Sequence, residues 1–328
     1  MQTPVENPAK RPMPAFPHTF PFDPTYGHTR ERLLAIQPPE APDDFDAFWA
    51  ATWHANAAVP LDLDVTYVQS PSPRFRMRMV RYTVLGGHRV GAWLLTPVEG
   101  PVDTAAICGH GYGGRDAPDV PEQQAAFMFF CAPGFHLSAA PSLPADAYRH
   151  VVHGIGHRDT YLIRSCVAAI WSAAKVIEEV TEQSFVNRYY FGGSFGGGLG
   201  ALAVPYDDWF TKCMLAIPTF GHHPLRLQCR CQGSGEAVRL YAEKHPDVRE
   251  VLAYYDAAVS ATRIRIPNVT LPALFDPAVP PPGQFAISNA MAVCGKRYIY
   301  SAGHYTHPDE EQENREAGRL VNQVLWDA

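Results

Sequence analysis

"YYFGGSFGGGLG" (Tyr189–Gly200) places one serine, Ser194, among six glycines. Three readings compete for the stretch. A phosphate-cradling loop needs Lys followed by Ser or Thr after its glycines, and none follows here. Gly196-x-Gly198-x-x-Ala201 is a partial dinucleotide fingerprint, but the next apolar run ends "MLAIPTF", without the acid that would hold a ribose hydroxyl. The third reading is a nucleophile elbow, Gly192-x-Ser194-x-Gly196, on a strand-to-helix turn. Such a serine has strained backbone angles, and the positions two before and two after it lie too close to neighbouring chain for a β-carbon. The turn lifts the hydroxyl above the sheet and aims the Phe195 N–H, at a helix N-terminus, towards a developing oxyanion.

An elbow serine needs an acid and a base that follow it in the order Asp, then His. Asp276 ends the run "VTLPALFD" and His304 follows "KRYIYSAG", both at the C-terminal ends of expected strands, where parallel sheets carry functional groups. Asp256 and Asp309 are rivals for the acid, and His222 and His307 for the base. Asp309 falls in the acidic first turn of an expected helix, where the helix dipole accounts for it, and His307 precedes Pro308 and reads as a cap. Asp276 and His304 are therefore the expected partners of Ser194. A second oxyanion donor should come from the loop after the first parallel strand. "CGHGYGGRD" supplies that loop (His110 to Gly114), with the Tyr112 N–H as the expected donor.

The pattern around these residues sets the fold class. The first 42 residues hold ten prolines and read as an extended arm on a surface. "DDFDAFWAATWHA" (Asp43–Ala55) is helical in pattern, with Phe45, Phe48, Trp49 and Trp53 on one face. "LDVTYVQ" and "FRMRMVRYTVLGGHRVGAWLLTPVEG" alternate apolar and polar residues around Gly86-Gly87, as a hairpin or meander does. Thr104–Gly111, Ala125–Gly134, "FVNRYYFGG", "FTKCMLAIP", "VTLPALFD" and "KRYIYSAG" read as strands. Between them lie helical patterns, one opened by Asp159 as N-cap, one from about Pro282, and a closing helix after Pro308. Strands alternating with helices predict an α/β fold: one mostly parallel sheet covered by helices on both faces. Residues 220–266 are polar and helical, and fit an insertion over the sheet within a single domain that begins near residue 43.

Composition narrows the function classes. The chain of 328 residues is 46% hydrophobic and 18% charged, enough for a large core, with a formal charge of −6. No basic run or basic helix face points to nucleic acid or anionic membrane, and no apolar stretch is long enough to span a bilayer. No secretory h-region opens the chain, and five of the seven cysteines sit alone in apolar runs, so reduced thiols and a cytoplasmic setting are expected. Cys229 and Cys231 lack a second cysteine pair for zinc. His150, His153 and His157 could in principle bind a metal. Gly154 and Gly156 between them argue against one helical face, so neither metal nor cofactor is expected.

With these residues in place, the chain resembles the acetyl xylan esterase and cephalosporin C deacetylase family, carbohydrate esterase family seven. "DFDAFW" resembles its N-terminal helix, "GHGYGGR" its oxyanion loop "HGY-x-GG", and "GGSFGGGLG" its elbow "GGSQGG". "LFDPAVPPPGQFAISNAM" is similar to its acid segment, "AGH" to its "GHE" histidine, and "DTYLIR" to its Asp-x-x-Tyr segment, with Tyr161 one place nearer Asp159 than in that pattern. The resemblance implies an α/β-hydrolase fold, deacetylation of small acetylated sugars or related esters, a small-molecule substrate, no cofactor, and often a closed ring of subunits. Three departures stand out. Pro133-Gly134-Phe135 occupies the place of the family's Arg-Gly-Gln, Phe195 that of the elbow glutamine, and Tyr305 that of the Glu after the histidine. The rings of Phe135 and Phe195 are expected to make the pocket wall apolar, which favours longer esters or peptides as the alternative substrates.

Overall fold

A computed structural model describes residues 13–327; the first twelve residues of the proline-rich arm lie outside it. Within the arm, the proline-free window between Pro24 and Pro38 forms a short helix, α1 (Arg30–Ala35), capped by the Thr29 hydroxyl. The extended reading of residues 1–42 is corrected there: without proline nothing blocks a turn of helix, and Leu33 is buried. Helix α2 (Phe45–Ala57) buries Phe45, Phe48 and Trp49, while Trp53 is half-buried and donates to Asp207 at 3.2 Å.

Strands β1 (Asp64–Val68), β2 (Phe75–Val84) and β3 (His88–Pro97) form the antiparallel meander, and β3 continues it onto β5 (Ala126–Phe130). From there the sheet is parallel. It runs β1-β2-β3-β5-β4-β6-β7-β8-β10, with β4 (Thr104–Cys108), β6 (Asn187–Gly193), β7 (Lys212–Ala216), β8 (Asn268–Leu271) and β10 (Gly295–Arg297). Both faces are covered. The large core joins α2, α4 (Leu162–Thr181) and α5 (Phe195–Ala203) to one face, and a second core packs the chain's end, through Leu325 and Trp326, on the other. Helix α3 (Ala147–His150) precedes α4. Asp159 does not cap α4: the cap position is Tyr161, and the Asp159 carboxylate instead meets Arg164 at 3.1 Å.

Residues 220–266 fold as α6 (His223–Arg226), α7 (Ser234–Lys244), α8 (Val248–Tyr254) and α9 (Ala257–Ala261). Val238, Leu252 and Tyr255 from this stretch belong to the large core. Helices α10 (Pro281–Ala290) and α11 (Glu310–Val321) complete the chain.

The expected single strands "VTLPALFD" and "KRYIYSAG" are each broken in two. Pro272 has no N–H to give to the ladder, so β8 ends at Leu271 and the chain re-forms as β9 (Ala273–Phe275). β10 breaks likewise before β11 (Tyr300–Ala302), and β9 pairs with β11 as a separate parallel pair, Ala302 opposite Phe275. This offset pair delivers Asp276 and His304 side by side. The cysteines are free thiols, buried except for Cys294, which is half-buried. No helix among the described residues is long and apolar enough to cross a membrane.

Candidate active site

Ser194 sits between β6 and α5 at φ 52° and ψ −110°, a conformation that L-residues adopt only under constraint. The constraint is visible. Its N–H donates to Ala216 O at 2.9 Å, and its carbonyl accepts from Gly198 N at 3.0 Å and Thr219 N at 3.1 Å. A β-carbon on Gly192 would lie 2.5 Å from the Gly196 backbone, and one on Gly196 would lie 3.0 Å from the backbone of Gly109 and His110. Both glycines of the motif are therefore required by close approach.

His304 Nε2 lies 3.0 Å from Ser194 Oγ, and His304 Nδ1 lies 2.8 Å from Asp276 Oδ2. Asp276 is completely buried. Its Oδ1 accepts from the N–H groups of Ala278 and Val279, and its Oδ2 accepts from Gln284 Nε2 at 2.9 Å as well as from the imidazole. Burial alone pulls the His304 pKa down, but the charge and hydrogen bond of Asp276 outweigh it and leave it raised above its ordinary value. The chain Ser194–His304–Asp276 thus has a base of increased proton affinity touching a hydroxyl.

Gln284 was not legible as part of the site. Besides holding Asp276, it accepts from Ala273 N at 2.8 Å and donates to Val279 O at 2.7 Å, tying β9, the acid loop and α10 together. A buried amide in "PPPGQ" is its only trace in the sequence.

The main-chain N–H groups of Tyr112 and Phe195 donate to no acceptor among the described residues. Their loops are locked to each other, since Gly196 N donates to His110 O at 2.9 Å and Gly109 N to Phe191 O at 2.8 Å. His110 accepts from Ala132 N at Nε2 and faces Gly111 O with Nδ1, so it is the neutral Nδ1–H tautomer. Burial pushes its pKa down to about 4.

The rings of Phe195 and Phe135 do not line a pocket wall, which corrects the expectation. Phe195 is completely buried and stacks on the Tyr112 ring at a centroid distance of 4.0 Å; Phe135 is buried beside them, 4.6 Å from the His150 ring. The helix that positions the Phe195 N–H points its side chain inward. With both rings internal, they offer no contact that would select longer acyl chains.

The rival residues have other partners. Asp256 is buried and accepts four N–H groups, from His222, His223, Ala258 and Val259, with burial pushing its pKa up to about 6. His222 caps α6, His307 lies 3.6 Å from Glu313, and Asp309 precedes α11. His150 bonds the Pro133 carbonyl in the interior, whereas His153 and His157 are exposed. No group of three His, Cys, Asp or Glu positioned for a metal ion occurs among the described residues, Cys229 and Cys231 included.

The arm meets this site. Asp276 N donates to Pro24 O at 3.1 Å, Tyr305 donates to Pro17 O, and Phe16 packs on Phe275 at 5.2 Å.

Comparison with known proteins gives a consistent picture. The model of the family described as acetyl xylan esterase (AXE1) matches residues 35–317. The acetyl esterase Axe7A of Xylanibacter ruminicola is 21% identical over 266 residues, 76% of this chain. This chain spans 60% of that relative's length. The acetyl xylan esterase from Paenibacillus sp. R4 superposes with a TM-score of 0.77 at 20% identity, covering 91% of this chain and 100% of that one. Acetyl xylan esterase 1 from Thermoanaerobacterium sp. JW/SL YS485 gives 0.78 at 19% identity, covering 93% and 98%. At these identities the superpositions establish the α/β-hydrolase fold.

Proposed function

The chain belongs to the acetyl xylan esterase family, and from that premise we propose that it is a serine carboxylesterase that removes acetyl groups from small acetylated sugars or related acetyl esters. The observation that carries the proposal is the continuous contact from Ser194 Oγ through His304 to Asp276, at 3.0 and 2.8 Å.

In this reading Ser194 Oγ attacks the ester carbonyl while His304 Nε2 takes its proton. Buried Asp276 fixes the imidazole tautomer and stabilises its cation. The Tyr112 and Phe195 N–H groups receive the oxyanion, each contributing about 3 kcal/mol to transition-state stability. His304 then protonates the leaving alcohol. Water, deprotonated by His304 in turn, releases acetate from the acetyl-serine.

Cephalosporin-type acetates fall within the same proposal, as do a homo-oligomeric state and a cytoplasmic setting. The family resemblance supports the first two, and six buried free thiols fit the third. The test is acetate release from acetylated xylose, alongside 4-nitrophenyl esters of increasing chain length. The proposal expects turnover of the acetylated sugar and of 4-nitrophenyl acetate, falling as the acyl chain grows. A preference for long acyl chains, or no acetate release, would overturn it.

A further inference from the structure

Arg226, at the end of α6, is 5% exposed, yet its side chain forms no hydrogen bond or ion pair among the described residues. Nε and Nη1 are fully buried without partners, which leaves Nη2 as the nitrogen that keeps access. The guanidinium lies 5.3 Å from the centre of the Phe220 ring. A buried cation without a counter-charge costs several kcal/mol, and proteins rarely retain one without a use for it.

Its neighbours do not neutralise it. His223 is held neutral by burial, and the Cys229 thiol is pushed by burial up to about 12. The Glu236 carboxylate is taken by Arg239 at 2.7 Å and by Cys231 N, and Asp276 by His304 and Gln284.

Phe220 connects Arg226 to the segment that holds Ser194. Phe220 follows Thr219, whose N–H holds the Ser194 carbonyl, and packs 6.0 Å from Phe195. Behind the guanidinium, a β-carbon on Gly235 would lie 3.1 Å from Nε and Nη2, so that side is closed by the α7 backbone. The segment leading into α7 is tied to the acid loop, Gln232 N donating to Pro277 O at 2.7 Å.

We propose that Arg226 recognises an anion in the substrate site, its Nη2 receiving a carboxylate carried by the ester. The inference rests on the esterase reading for its place in catalysis. The carboxylate belongs either to the leaving alcohol, as in an acetylated sugar acid, or to the acyl part.

The test compares kcat/KM for matched pairs in the full-length protein. For the alcohol side these are 4-acetoxybenzoate and phenyl acetate; for the acyl side, mono-4-nitrophenyl succinate and 4-nitrophenyl butyrate. One charged member should exceed its neutral partner by about tenfold or more, the scale of a charged hydrogen bond. That ratio should collapse in Arg226→Met and be partly kept in Arg226→Lys. Arg226→Met should also melt at a higher temperature, since it removes an uncompensated buried charge. Calorimetric binding of the stable analogue 4-acetamidobenzoate, against neutral acetanilide, gives an answer that does not need turnover. Failure to hydrolyse even phenyl acetate would count against the esterase reading. Turnover of neutral esters with no charged preference in either pair, or a preference unchanged in Arg226→Met, would overturn the role of Arg226.

Discussion

A β-carbon on Gly303 would stand 2.5 Å from Asp276 Oδ2, the oxygen that receives the His304 imidazole. The glycine before His304 is thus a condition for the acid and base to meet, since any side chain there would push the carboxylate from its place. Gly303 N also donates to Phe275 O at 2.8 Å, extending the β9–β11 pair to the edge of the site.

Gly303→Ala is therefore expected to lower kcat by about 100-fold or more, the cost of misplacing a reacting group by roughly an ångström. Circular dichroism should show an intact fold. Esterase turnover within threefold of the parent would show that the loop absorbs the methyl group.

The pH profile follows from His304. Burial lowers its pKa, but Asp276 raises it further, so the folded value lies above the usual one near 6.5. In the proposed mechanism the neutral imidazole is the active form, and kcat/KM should rise with pH through a midpoint above 6.5. Asp276→Asn should move that midpoint down and lower the plateau by roughly 10³–10⁴-fold. The stability linkage has the opposite direction: a raised folded pKa favours the native state fully below about pH 6.5, and the contribution disappears as pH rises through the folded value.

Gln284→Leu is expected to destabilise the protein by about 2–3 kcal/mol, because the Ala273 N–H and Asp276 Oδ2 each lose a buried partner. Urea unfolding measures this. A change under 0.5 kcal/mol would mean the amide is not holding the acid loop.

Acid should unfold the protein through its interior histidines. Burial lowers His110 and His150 to about 4 and His223 to about 3. The native state excludes their protons, so its stability is fully supported above about pH 6.5, declines as pH falls below that value, and the loss is complete once pH has fallen through about 4 to 3. The urea midpoint should drop steeply between pH 6 and 4, and less steeply in His150→Phe, whose ring suits the surrounding aromatic cluster. Parallel curves for the two proteins would exclude His150 from the effect.

The legible parts of this protein were those governed by local necessity. Gly192 and Gly196 are dictated by backbone approach within one turn, and the alternation of strand and helix follows from burial on both sheet faces. Ser194, Asp276 and His304 could be read because the chain order and the strand ends constrain them. What escaped depends on docking. Gln284 acquires its role only when α10 is laid against β9, and the direction of the Phe195 ring depends on how α5 sits on the sheet. The breaks after Leu271 and Arg297 turned on where the sheet ends, which Pro272 hinted at but did not determine. Arg226 looked like one more polar residue of a helical insertion until its burial became visible.

The central claim is that Ser194 carries the acyl group. The most direct measurement is peptide mass spectrometry after reaction with diethyl 4-nitrophenyl phosphate, with activity followed in parallel. Loss of activity in step with one diethylphosphoryl group on Ser194, and neither labelling nor turnover in Ser194→Ala, is the predicted result. A label on another residue that tracks inactivation, or undiminished ester hydrolysis in Ser194→Ala, would contradict it.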